Sequence, residues 1–214
     1  MSYVTFTQLV TQVTQGAAIA SFPTDTVPAL AAIPAIADQI YTLKQRRLDK
    51  PLILMAGEIE AIWDYLRGSE AERQIWQSLM QQYFPGALTL VLPASDRVPT
   101  AMNPRNPGTV GVRIPNHALA RQILRQTGPL ATTSANRSGQ DALLEMMAIA
   151  QAFPSVLQLS DSALQSLALP PEPLSSSGIP STVVRWQIDR WEILRQGAVI
   201  LPSAILQAKP RSIQ

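Results

Sequence analysis

Short apolar runs, each stopped by a proline or a polar turn, recur along this chain and limit what it can build. Ala17 to Phe22 stops at Pro23, and Thr109 to Ile114 stops at Pro115. Leu52 to Ala56, Leu88 to Leu92, Pro129 to Thr133 and Val156 to Leu159 are runs of the same kind. Such lengths suit buried strands and fall far short of the ~20 residues that cross a bilayer. Amphipathic segments lie between them. Thr5 with Gln8 forms a capping box for an N-terminal helix, and Gly16 fits the position just past its end. Pro34 opens a second helix, with Ile36, Ile40 and Leu43 as its apolar stripe. Two further helices are expected between Glu58 and Tyr83, one over His117 to Gln126 and one over Asp141 to Ala152. Ser181 to Trp186 and Trp191 to Leu194 read as arms of a hairpin around Ile188-Asp189, and Ala168 to Pro180 as a mobile Pro/Ser-rich loop. No repeat and no linker divides the chain. Strands alternating with helices predict a single α/β domain over residues 1–214, built on a twisted mixed parallel/antiparallel sheet flanked by helices.

Composition removes several chemistries. The 214 residues include no Cys, which excludes disulfides, thiolate metal sites and a Cys nucleophile. One His excludes a multi-His metal centre and leaves His117 as the only base for a Ser-His-Asp triad. Its place before a helix suits a structural role better. The first eight residues carry no basic segment leading into an apolar core, so a cytoplasmic protein without a membrane span is expected. No phosphate loop, dinucleotide fingerprint or nucleophile elbow is present.

The net charge of +2 is small, but its distribution is uneven. Segment 44–50 holds Lys44, Arg46, Arg47 and Lys50 against Asp49 alone, and six Arg stand between Arg97 and Gln140 without a carboxylate. If these regions meet, they form a cationic hollow suited to polyphosphate or RNA. Three polar turns follow short strands: Thr24-Asp25-Thr26, Arg113-Ile114-Pro115-Asn116-His117 and Thr132-Thr133-Ser134-Ala135-Asn136. Ligands of α/β sheets gather at such ends, although Thr, Ser and Asn also serve there simply as caps and turns. Lys44 and Arg46 read as a triphosphate clamp or as ordinary cations at a helix end. Arg113 ends a buried run and needs an anionic partner, either a ligand or an internal carboxylate, and Arg195 invites the same argument.

Seven motifs occur in order: Phe22-Pro23-Thr24-Asp25-Thr26-Val27; Lys44-x-Arg46 with Lys50-Pro51; Phe84-Pro85-Gly86 with Leu88-Thr89; Thr109 to Pro115; Thr133-Ser134-Ala135-Asn136-x-Ser138-Gly139; Ser181-Thr182-Val183-Val184; and Arg195-x-Gly197. Together they resemble the YrdC/TsaC-type threonylcarbamoyl-AMP synthase family in its short form. The likeness runs over about residues 15–200, with 201–214 as a tail. It implies a YrdC-like fold with a large basic cavity. The implied reaction joins L-threonine, bicarbonate and ATP into threonylcarbamoyl-AMP with release of pyrophosphate, for modification of a tRNA adenosine. By the resemblance, Lys44 and Arg46 would hold phosphates and carry catalysis. Thr133, Ser134, Asn136 and Arg195 would complete the ATP site, and Thr26, Thr109, Arg113 and Ser181 would bind threonine. Mg2+ would arrive with ATP, with no protein metal site. Contact with tRNA or a downstream tRNA-modifying complex is implied, and no membrane or DNA partner. The chain departs from the family pattern with Pro28-Ala29 where Tyr-Gly is usual, with Arg47 where Pro is usual, and without the Gly-rich acidic stretch before Ser181. Such departures suit either the synthase or a paralogue that adenylates another carbamate. A non-catalytic RNA-binding module is the alternative of a different class.

Overall fold

A computed structural model describes residues 2–170 and 176–207. The chain opens with β1 (Ser2–Val4) and α1 (Phe6–Thr14). The Thr5 hydroxyl accepts from the Gln8 N–H while the Gln8 side chain accepts from the Thr5 N–H, so the capping box forms as its spacing predicts. Gly16 takes a left-handed φ of +69° beyond the helix end. Next come β2 (Ala20–Phe22), β3 (Ala29–Ala32), a 3₁₀ turn opened by Pro34, and α2 (Ala37–Lys44). β4 (Ile53–Met55) leads to a 3₁₀ stretch over Ile59–Tyr65 and then to α3 (Glu70–Tyr83). Thus one of the two helices expected between Glu58 and Tyr83 is 3₁₀ instead of α.

β5 (Leu88–Pro93) and β6 (Thr109–Arg113) are joined by the Pro-rich loop, and α4 (Ala118–Thr127) precedes β7 (Leu130–Ser134). α5 (Met146–Ala152) starts later than the run from Asp141 predicts. β8 (Leu157–Leu159), α6 (Asp161–Ser166), the hairpin of β9 (Thr182–Gln187) and β10 (Arg190–Arg195), and α7 (Ser203–Leu206) complete the described chain. The central residues of the expected loop, 171–175, and the tail beyond 207 lie outside the described residues.

All ten strands form one mixed sheet in the order β1-β8-β2-β3-β7-β4-β6-β5-β9-β10. β1, β8 and β2 run parallel to one another, and β4 runs parallel to β6. β3 and β7 are antiparallel to both of their neighbours, β5 is antiparallel to β6 and parallel to β9, and β9 and β10 form the antiparallel terminal hairpin. Alternation then sorts the side chains of the central strands. Leu54, Leu88, Leu90, Val110, Val112, Val184 and Trp186 pack into the main core with Trp76 of α3. Trp76, Trp186 and Trp191 stack edge to face, with ring centroids 6.4 and 5.1 Å apart. Trp186 Nε1 also donates to Glu72 at 3.1 Å, which pins the hairpin to α3. At the other end, α1 and α4 bury Leu9, Val13, Leu119 and Ile123 against Ala20, Phe22 and Leu157.

The hairpin turn carries a local cost. Ile188 has a φ of +52° and is 90% exposed, so a β-branched residue takes a left-handed conformation with no packing in return. Ile188→Gly should therefore stabilise the fold by about 1 kcal/mol, read as a rise in thermal midpoint of about 2–4 °C. An unchanged or lower midpoint would show that the turn is not strained.

Candidate anion-binding site

The residues that alternate away from the main core line a cavity of about 930 Å³ on the opposite face of the sheet. Its floor takes Ile53 and Met55 from β4, Thr89 and Val91 from β5, Thr109, Gly111 and Arg113 from β6, and Val183 and Arg185 from β9. Thr26, Lys44, Arg46, Thr109, Arg113, Thr133, Ser134, Asn136, Ser181 and Arg195 all line this one hollow. Among the described residues its walls carry seven cationic side chains, Lys44, Arg46, Lys50, Arg105, Arg113, Arg185 and Arg195, and one carboxylate, Asp49. Segment 44–50 meets the Arg-rich stretch from 97 here through Arg105 and Arg113 alone; Arg97, Arg121, Arg125 and Arg137 are not among the lining residues. His117 is not among the lining residues; its Nδ1 accepts from the Ala120 N–H at the start of α4.

Strand register separates the cavity into two ends. Ile53 stands opposite both Thr132 and Gly111, with β7 antiparallel and β6 parallel to β4. Ser134 and Thr109 therefore fall at one end of the floor, and Arg113 at the other, about 13 Å from Thr109 along β6. The resemblance groups Thr109 with Arg113 at threonine; the register sets them at different ends of the floor, and the Thr109 hydroxyl accepts from Asn103 Nδ2 at 3.0 Å.

At the first end, Lys44 is 1% exposed and reaches from the last turn of α2 across to the turn after β7. Its ammonium donates to the Ser134 carbonyl, and to Asn136 Oδ1 at 3.1 Å. Ser134 Oγ donates to the same Asn136 oxygen at 2.6 Å, and Asn136 Nδ2 donates to the Gln140 carbonyl at 2.6 Å. Arg46 follows the left-handed Gln45 and donates to the Lys50 and Pro51 carbonyls at 2.9 and 3.0 Å. Burial, with Arg46 and Lys50 nearby, pushes the Lys44 pKa down to about 7. This end thus concentrates three cations, Lys44, Arg46 and Lys50, beside the carboxylate of Asp49.

At the second end, Arg113 is 4% exposed and is held on three sides. It donates to Asp25 at 2.6 Å, to the Thr26 hydroxyl at 2.7 Å and to the Gly86 carbonyl at 3.0 Å. Of the two partners open to it in the sequence, an internal carboxylate is present. Burial lowers the Arg113 pKa, Asp25 opposes the shift, and the neighbouring Arg195 adds to it. Arg195 meets no carboxylate among the described residues; it donates to the Ser181 carbonyl at 2.8 Å. Ser181 Oγ lies 2.9 Å from Thr89 Oγ1. Expected on opposite sides of the ligand, Ser181 and Arg195 are instead in contact. Gly197 makes this possible, since a Cβ there would overlap the Pro180–Ser181 backbone.

Asp25, Thr89 and Arg105 stand in stretches the sequence marks out but carry no site role there, and Asn103 and Arg185 carry no signal of their own in the motifs. Strand period, by contrast, made Thr89 and Arg185 readable, because period two along β5 and β9 puts them on the face of Val91 and Ser181. Asp25 sat in a recognised turn, but its pairing with Arg113 spans 88 residues. Among the described residues, no group of three or more His, Asp or Glu is placed to hold a metal ion. No helix among them is long and apolar enough to cross a membrane.

These features define an α/β protein whose mixed sheet presents a cationic, hydroxyl-lined cavity. The sequence profile described as "Telomere recombination" (Sua5/YciO/YrdC) matches residues 12–197, so the chain belongs to the Sua5/YciO/YrdC family. It is 40% identical over 129 residues to a threonylcarbamoyl-AMP synthase of Bacillus subtilis, covering 57% of this chain and 36% of that protein. Against the human threonylcarbamoyl-AMP synthase it is 32% identical over 198 residues, or 90% of this chain and 67% of that one. The structure of P. abyssi Sua5 complexed with L-threonine superimposes with a TM-score of 0.73 at 26% identity, over 90% of this chain and 54% of that one. The chain therefore spans about a third to two thirds of the length of these relatives.

The lowered proton affinity of Lys44 has a consequence for stability. The unfolded chain keeps this proton up to about pH 10.5, the ordinary lysine value, whereas the folded chain releases it near 7. Across that window the unfolded state binds more protons, so stability of the ligand-free protein should rise with pH; below 7 the penalty of burying the charge is fully present. Lys44→Met should flatten this slope in urea titrations at pH 7 to 10. An equal slope in the variant would mean that the lysine is not desolvated.

Proposed function

We propose that this chain is a threonylcarbamoyl-AMP synthase acting in a single domain over residues 1–214. The observation that carries the reading is the meeting of Lys44, Arg46, Arg113 and Arg195 in one cavity, in a chain of this family. Its substrates are L-threonine, bicarbonate and ATP. The product supplies threonylcarbamoyl modification of a tRNA adenosine, by hand-over to a tRNA-modifying complex in the cytoplasm.

The two ends of the cavity suit the two ends of such a product. A guanidinium has five N–H donors, and Arg113 uses three, which leaves one on each terminal nitrogen. Those two donors suit the threonine carboxylate, with the Thr26 and Ser181 hydroxyls beside it. Lys44 and Arg46 bind the triphosphate at the other end, with Thr133, Ser134, Asn136 and, by register, Thr109 around the nucleotide. Arg195, beside Ser181, faces the phosphate nearest threonine.

The chemistry asks little proton transfer of the protein. The threonine amine and bicarbonate form a carbamate with loss of water. A carbamate oxygen attacks the α-phosphorus, the bond to the β-phosphate bridging oxygen breaks, and pyrophosphate leaves with its electron pair. An anionic nucleophile needs no general base, so catalysis rests on alignment and on cations placed where negative charge accumulates. Lys44, Arg46 and Arg195, whose hydrogen-bond partners are carbonyl oxygens and not carboxylates, supply the second requirement. Bound triphosphate raises the proton affinity of Lys44, so affinity should weaken as pH rises above 7. Magnesium would come on the triphosphate oxygens, where it adds charge neutralisation.

Incubation with all three substrates should yield threonylcarbamoyl-AMP by mass spectrometry, with pyrophosphate release that requires both threonine and bicarbonate. No product under these conditions would overturn the reading. Lys44→Ala or Arg46→Ala should cut pyrophosphate release by about a hundredfold or more, while the far-ultraviolet dichroism stays unchanged. Wild-type rates in both would remove the phosphate clamp. Arg113→Lys should raise the KM for threonine at least about tenfold and leave that for ATP within about twofold. The opposite split would exchange the two subsites.

A further inference from the structure

A second cavity, of about 510 Å³, lies at the carboxyl ends of the parallel strands β1, β8 and β2, away from the cationic site. Its electrostatics are the reverse of the first. Glu145 and Asp161 stand at its rim, and no Lys or Arg among the described residues lines it. Neither carboxylate takes part in a salt bridge among the described residues. Its floor is a row across three strands. Tyr3 of β1 pairs in register with Gln158 of β8, and Ala20 of β2 pairs with Leu157, which brings Ser21 alongside Gln158. Gln158 is 2% exposed, and its amide donates to the Met146 carbonyl at 3.0 Å. Ser21 is 1% exposed, and its hydroxyl has no hydrogen-bond partner. A buried hydroxyl left unpaired is destabilising, and here it borders an open hollow.

We propose that this second cavity binds a small organic cation, a primary amine carrying an apolar body. The size lies within the range of small-molecule pockets, and strand carboxyl ends of α/β sheets are where such ligands gather. Glu145 and Asp161 pair with the ammonium, and the Tyr3 ring at the mouth offers a cation–π face. The apolar body packs on Phe22, Leu164 and the adaptable Met147, which is 67% exposed. Ser21 Oγ takes or gives one hydrogen bond within the cavity. Anions are excluded, so this is not a second nucleotide site. The site is independent of the synthase reading, although Pro23 in its wall leads directly into the Thr24-Asp25-Thr26 turn that holds Arg113.

The test uses the isotope-labelled full chain and three probes of one shape: phenethylamine, phenethyl alcohol and phenylpropionate. Phenethylamine should shift the amides of Ser21, Gln158 and Leu164 saturably, the alcohol should bind about tenfold more weakly, and the carboxylate should not saturate. The surface double variant Glu145→Gln/Asp161→Asn should abolish the preference for the amine without altering the thermal midpoint. Ser21→Ala should keep the charge preference and weaken all binding. Equal affinity for the three probes, amine binding unaffected by the double variant, or no saturable shift at these amides each overturns the proposal. None of these readouts depends on pyrophosphate release, so they stand apart from the activity assay.

Discussion

A guanidinium with almost no access to water must be surrounded by acceptors, and Arg113 organises the molecule around that requirement. Its three hydrogen bonds gather the turn after β2, the loop before β5 and the end of β6, segments remote from one another in sequence. Removing one partner of such a buried pair typically costs about 3–5 kcal/mol, because the remaining charge is stranded. The arrangement is therefore rigid, and the two N–H groups it leaves free point from a fixed base. An arginine whose charge were fully satisfied would only brace the fold. An arginine with no partner would not tolerate burial. Arg113 sits between, with partners enough to stay buried and fewer than its five N–H groups could take.

The same reasoning extends to the rest of the cavity with the opposite outcome. Lys44, Arg46 and Arg195 take backbone carbonyls and an amide oxygen as partners instead of carboxylates. Carbonyl dipoles orient a cation but leave its charge uncompensated, so the potential in the hollow stays positive. This costs stability, and the lowered Lys44 pKa shows where. A bound polyanion removes that cost, which couples ligand binding to the stability of the fold.

How far the sequence could be read depended on the range of the interaction. The α1 capping box, the Gly16 stop, the strands over Leu88–Leu92 and Thr109–Ile114 and the terminal hairpin rest on neighbours a few residues apart, and all were legible. β1, β3 and α6 were not. β1 is three residues long, β3 is a run of small residues, Ala29 to Ala32, whose strand conformation comes from its place between β2 and β7, and α6 is under two turns. Motif order brought out the ten candidate site residues, and they do share a cavity. Their division between its ends depends on register, which sequence order does not carry. Thr109 precedes Arg113 by four residues, yet β4 and β7 place it with Ser134. Arg195 and Ser181 look separable in sequence, yet the close approach at Gly197 brings them into contact.

Two hollows of opposite charge on one sheet follow from this mixed topology. Along β4, β6, β5 and β9 the pleat divides the side chains between a packed core and an open face, and the open face carries the cations. Where β1, β8 and β2 run parallel, their carboxyl ends open together beside α5 and α6, and that mouth collected Glu145 and Asp161. β2 belongs to both regions, since Phe22 and Pro23 wall the second hollow and Thr26 walls the first. The β2 end lies within three residues of the turn that fixes Arg113. The shortest path between the two hollows is therefore covalent, and it runs through a proline whose fixed φ leaves little slack to absorb a displacement.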